Sequence, residues 1–122
     1  MTRLTAKSLA QWRKDTLAAQ GGRCAICQLP CTEAAAVGDH DHDTGNMRGV
    51  THRSCNAVLG KVENSYRRYG VPNLSAFLHG VPGYLQKPQH GVQYPTHRSE
   101  EERRLARNAK AHKARAAAKE QT

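Results

Sequence analysis

A small α+β domain is what this sequence predicts, and three observations carry the prediction. Two short corners of metal-ligand type, Cys24-x2-Cys27 and His52-x2-Cys55, flank a stretch that reads as a hairpin. That stretch holds the turn formers Asp43-Thr44-Gly45-Asn46 between two strand-like runs. Beyond Gln86 the composition turns basic and nearly free of large apolar side chains. The expected organisation is therefore a metal-braced domain over residues 1–86 with flanking helices, followed by a linker and basic arm over 87–122.

The elements follow in chain order. Residues 5–20 read as a helix, with Thr5 able to cap its start and Gly21-Gly22 able to stop it. Leu9, Trp12 and Leu17 fall roughly on one face, which makes Trp12 a core anchor. Residues 23–33 form a knuckle, 34–41 a first strand and 47–52 a second. A helix then starts near Arg53 or Ser54 and runs to about Glu63, with Ala57, Val58, Leu59 and Val62 on its apolar side. Tyr66–Tyr69 and Leu74–Leu85 suggest two short helical pieces, and Leu74, Phe77, Leu78 and Leu85 are expected to cover the remaining core. Pro88, Gly91 and Pro95 mark a linker. Ser99 with Glu102 three residues on is a capping-box signature for a last helix reaching about Lys119.

Bulk composition narrows the function. The chain has 122 residues but only one Phe, one Trp, four Tyr and two Met, a thin supply for a core. Domains of this kind usually lean on a metal or on disulfides. No apolar run approaches the ~18 residues of a bilayer span, and the opening MTRLTAKSLAQW has no apolar leader. That favours a cytoplasmic setting, where cysteines hold metal more readily than disulfides. The formal charge of +9 favours a polyanionic partner. An anionic membrane surface would require an amphipathic helix with a clear apolar face, which the sequence lacks.

Cys24, Cys27, His52 and Cys55 together make a tetrahedral set of three sulfurs and one nitrogen suited to Zn²⁺. Four protein ligands leave no open position, so the ion is expected to be structural. Cys31 is the alternative to His52 as fourth ligand, or else a spare buried thiol. Between the corners lies DHDH, residues 39–42, and just after the second corner comes Asn56. Asp39 offers a carboxylate and Asn56 an amide oxygen, a hard donor pair suited to Mg²⁺ or Mn²⁺. An imidazole with an ordinary pKa near ~6.5 can take a proton from water at neutral pH, and His40 or His42 can supply it. Strict strand alternation puts Asp39 and His40 on opposite faces. Both reach one site only where the strand ends, twists or bulges.

Cys-x2-Cys, then DHDHDTGNMRG, then SCNAVLG, resembles the recombination endonuclease VII family of ββα-metal (His-Me finger, HNH-like) nucleases. The likeness is dense from about Gly21 to Gly60 and weak in the basic tail. It implies a zinc-braced hairpin and helix cradling one divalent ion. Asp39 and Asn56 would hold that ion, His40 would activate water, His42 would be a second active-site histidine, and Cys24, Cys27 and Cys55 would bind zinc. His52 departs from the cysteine usual at its position. The family implies a bacteriophage origin and a DNA substrate, branched in its founding member, which works as a dimer; a homodimer is an expectation here too. Arg48 and the tail cations Arg103, Arg104, Arg107, Lys110 and Lys113 are expected on phosphates. The rival from another class is a zinc-dependent nucleic-acid-binding module without catalysis, and an RNase is a second.

Overall fold

Thr5 starts the first helix by closing a capping box. Its hydroxyl accepts the Ser8 N–H at 3.2 Å, while the Ser8 hydroxyl accepts the Thr5 N–H at 2.7 Å. The computed structural model, which describes residues 2–121, places helix α1 over Ala6–Ala19. Gly21 and Gly22 both take φ of 71°, a left-handed conformation that suits glycine, and so turn the chain out of the helix. The knuckle follows, and a 3-10 turn over Glu33–Ala35 leads into strand β1, Ala36–His40. The strand is therefore shorter than residues 34–41. Strand β2 spans Met47–His52 and pairs antiparallel with β1. Asp41 ties the turn between them, its Oδ1 accepting the N–H groups of Asp43 and Thr44. Helix α2 covers Arg53–Ser65.

Both α1 and α2 pack on the two-stranded sheet. A lone hairpin is marginal in water, and here the core that supports it is small. Leu17, Cys24, Cys31, Ala36 and Val50 are buried, with Trp12 and Cys55 packed against them. Trp12 does serve the core, as its place on the helix face suggests. Gly38 permits the close approach of α1 to β1: a Cβ there would lie 3.4 Å from Trp12 Cζ3 and 2.9 Å from the end of Met47.

Gln20, at the end of α1, behaves as a missing strand. Its Nε2 donates to the Val50 carbonyl at 2.8 Å and to the Arg23 carbonyl at 2.8 Å. Its Oε1 accepts the Val50 N–H at 2.9 Å. Val50 is fully buried, so that N–H has no water to turn to. Gln20→Ala is expected to lower stability by about 2 kcal/mol, the cost of orphaning a buried donor. A denaturation midpoint within error of the parent's would refute the role.

Two expectations are corrected downstream of α2. Tyr66–Gly70 are turns rather than helix. Helix α3, Leu74–Gln86, forms as anticipated but buries none of its residues. Phe77, Leu78 and Leu85 are exposed, so they do not cover the core. The helix accommodates Pro82 and follows a loop closed by Gly70, whose φ of 78° redirects the chain.

The chain divides into two units, one reaching Tyr84 and one starting at Leu85. In the second, helix α4 runs over Glu100–Glu120, with Ser99 and Glu102 forming the capping box read from the sequence. At 1.5 Å per residue it is about 30 Å long. It has no buried residue, which fits its single large apolar side chain, Leu105. Three acids in its first turn complement the helix dipole. No helix among the described residues is long and apolar enough to cross a membrane.

Candidate functional site

The two corners meet. Cys24, Cys27, His52 and Cys55 place one donor atom each within 4.8 Å of one another. A tetrahedron around zinc with ~2.3 Å bonds has sulfurs about 3.8 Å apart, so this group fits the ion with small adjustments. Cys31 is outside the group: it is buried, with its thiol 3.6 Å from the Thr32 carbonyl. His52, not Cys31, is thus the fourth candidate ligand.

The local backbone explains why these four converge. Gln28, in a left-handed conformation with φ of 65°, closes the first corner, its N–H donating to the Cys24 carbonyl at 3.0 Å. The Cys24 sulfur accepts the N–H groups of Ile26 at 3.4 Å and His52 at 3.3 Å. Burial raises the Cys24 thiol, but backbone N–H groups of Cys27, His52 and Ile26 outweigh it and bring it down from 9.0 to about 6. Burial, with Cys27 and Cys24 beside it, pushes the Cys55 thiol up to about 11.

His52 is the N-cap of α2 yet makes no side-chain cap, and Cys55 stands three residues later at N3. A helix often fills these two positions with a capping box; here they face the metal group instead. The His52 Nε2 donates to the Pro30 carbonyl at 2.9 Å. That leaves Nδ1 as the bare nitrogen, 3.3 Å from Cys27 Sγ and 3.8 Å from Cys55 Sγ. A carbonyl partner that sets the tautomer is a common support for a metal-binding imidazole.

The acid–imidazole hairpin divides into two groups. Asp39 pairs with Gly49 and His40 with Met47, so the register slips between Asp39 and His40 and Arg48 is the bulged residue. Alternation thus breaks at the point where the two residues would need it to. Asp39 is buried at 6% exposure. His40 and His42 are exposed, with ring centroids 4.8 Å apart. Among the described residues no hydrogen bond joins Asp39 to His40 or to Asn56. The Asn56 side chain is half-buried and, among the described residues, has no hydrogen-bond partner.

Arg48 lies between two carboxylates. Its Nε and Nη2 donate to Asp39 at 2.7 and 3.2 Å, and its Nη1 and Nη2 to Glu63 at 2.9 and 3.0 Å. Two carboxylates thus fill the guanidinium fork. Glu63 and Asp39 hold the Arg48 pKa far above its usual value, and Arg48 holds Glu63 below its own. Glu63 was not singled out from the sequence. The available signal was its place seven residues after Asn56, two turns along the same face of α2.

Residues 2–80 match the model of the recombination endonuclease VII family. The chain belongs to that family. No curated protein matches it. The family is one of nucleases that act on DNA, and the α+β architecture with its Cys/His group agrees with the membership.

Proposed function

We propose that this chain is a metal-dependent DNA endonuclease that hydrolyses phosphodiester bonds to 5′-phosphate and 3′-hydroxyl ends. The observation that carries the reading is the exposed His40–His42 pair at the bulged end of β1, next in sequence to buried Asp39. His40 takes the proton of the attacking water. His42, its ring 4.8 Å away, holds a non-bridging phosphate oxygen in this reading. The pair stands in open solvent, where a strand can lie across it.

The donor chemistry fits a hard divalent ion. Asp39 keeps carboxylate lone pairs beyond those Arg48 engages, and the Asn56 carboxamide is unengaged among the described residues. Such an ion, when bound, would offset the charge that builds on the phosphoryl and departing 3′ oxygens. Arg48 orients the Asp39 carboxylate through hydrogen bonds to both of its oxygens. The Cys/His group anchors the start of α2, and with it Asn56.

Cleavage of supercoiled plasmid with Mg²⁺ or Mn²⁺ tests the reading. His40→Ala is expected to lose between about 10²- and 10⁴-fold in rate, the usual share of a general base. If His40→Ala and Asn56→Ala both cut like the parent, the assignment is wrong. Tight DNA binding with no cleavage of any substrate would leave the non-catalytic module, and preference for RNA would make the enzyme an RNase. One such site cuts one strand, so a double-strand cut calls for two copies, a homodimer among the ways to supply them.

The basic helix α4 is proposed as a phosphate-binding arm. Arg103, Arg107 and Lys110 share one face by helical periodicity, with Arg104 and Lys113 to either side. The ion pair of Arg104 with Glu101 at 3.9 Å is largely exposed and worth little. Deleting residues 100–122 is expected to flatten the slope of log affinity against log salt by about 2 to 3, at about 0.9 per phosphate contact. An unchanged slope would remove the arm from the interface.

A further inference from the structure

The hairpin turn has a cleft on each side, and the two differ in charge. One is lined by Asp41, Asp43 and Glu63 as well as His42 and Arg67. Its carboxylates make it the less favourable of the two for a phosphate chain. The other lies between the segment before α1, α1 itself and the turn, and it opens beside His40. Its volume is about 730 Å³, within the range of sites that take small ligands. No carboxylate lines it.

This second cleft has the make-up of a built site. Leu9 and Met47 give it apolar walls, and Trp12 adds an aromatic surface held in place by its packing near Gly38. Arg3 and Asn46 stand on its rim. Among the described residues the Arg3 guanidinium, the Asn46 carboxamide and the Trp12 indole N–H have no hydrogen-bond partner. A flat aromatic surface, a lone cation and an amide able to donate and accept match a nucleobase with its phosphate.

We propose that this cleft is a nucleotide subsite. It takes the nucleotide next to the scissile phosphate, with the base against the Trp12 indole, the phosphate on Arg3 and the base edge on Asn46. The proposal rests on the nuclease reading of His40, because the strand is brought to the cleft by the phosphate that His40 serves. It also gives the strand a direction: away from Asp41, Asp43 and Glu63 and towards α1.

Trp12 is the only tryptophan in the chain, so its emission reports on the cleft alone. The test titrates the full-length, zinc-loaded protein with short oligothymidylate, without added magnesium or manganese. A second arm uses an abasic strand of equal length. Oligothymidylate is expected to quench Trp12 saturably, and the abasic strand to leave it unquenched and to bind about tenfold more weakly by competition. Arg3→Ala and Asn46→Ala, both at exposed positions, are each expected to shift the quenching curve at least about fivefold, with unchanged melting temperature. If oligothymidylate binds and is cut once manganese is added, yet Trp12 emission and both variants' affinities match the parent, the subsite is refuted and the nuclease reading stands. If quenching and its loss in the variants occur but nothing is ever cut, the cleft binds a nucleotide, but the nuclease reading falls and with it the placing of that nucleotide beside a scissile phosphate.

Discussion

Stripping the zinc with a chelator is expected to unfold the hairpin-and-helix unit outright. The aliphatic side chains buried in it are few. Val50 and Leu17 are the large ones, and each contributes roughly 2 kcal/mol. A structural zinc contributes on the order of 10 kcal/mol, so the ion outweighs them together. The position of the ligands sharpens the expectation. Cys24 anchors the knuckle, while His52 and Cys55 occupy the N-cap and N3 positions of α2. Losing the ion would release the end of β2 and the start of α2 at once. Circular dichroism during chelation should show loss of the cooperative melt, recovered on adding zinc back. Cys24→Ser should reproduce the loss, whereas Cys31→Ser, outside the metal group, should keep zinc and fold. A chelated protein that still melts cooperatively at the parent's temperature would show that the four side chains hold no structural ion.

Arg48→Met is the second large effect. Arg48 alone stands between the two carboxylates, and Asp39 has only 8% of its side chain exposed. Removing one partner of a buried pair costs about 3–5 kcal/mol. Arg48 is itself about a third exposed, so water reduces the loss to roughly 2–3 kcal/mol. For a domain of this size that is a fall of about 10 °C or more in melting temperature. Restoring neutrality with Asp39→Asn in the same chain should return part of it. The pH dependence has a definite sign. Glu63 is held below its usual 4.5, chiefly by Arg48. Its contribution is therefore complete above pH 4.5 and is lost as the pH falls through the lowered value. Glu63→Gln should flatten that acid limb. A melting temperature for Arg48→Met equal to the parent's would show that the pair is not part of what holds the hairpin.

Several features were legible because their chemistry is local. Thr5, Gly21-Gly22, Ser99 and the Asp43–Asn46 turn act on the backbone within a few residues, and the helices and the hairpin begin and end near them. Both corners are also local, each closing over two intervening residues, and their equal spacing pointed to one shared ion. That α3 leaves its apolar residues uncovered was not legible, for a complementary reason. Leu74, Phe77 and Leu78 have the spacing of a buried face, yet spacing says only that a face exists, not that anything packs on it.

The candidate site was readable as a set of residues but not as an arrangement. DHDH and Asn56 stood out by type, while the partner of Asp39 did not. Arg48 looked like a phosphate contact because a cation on a hairpin has no visible counter-charge in one dimension. Its counter-charge, Glu63, comes fifteen residues later on another element.

The sequence by itself determined the element order, the caps, the zinc-type ligand set and the basic last helix, since each depends on neighbours a turn or two apart. Only the tertiary structure decided that Gln20 serves as an edge strand for Val50, that Arg48 faces two acids, that Cys31 stands apart from the other sulfurs and that the cleft beside His40 carries no negative charge. Those outcomes depend on which distant segments approach within a hydrogen bond's length, and that is settled by the packing of α1 and α2 on the hairpin.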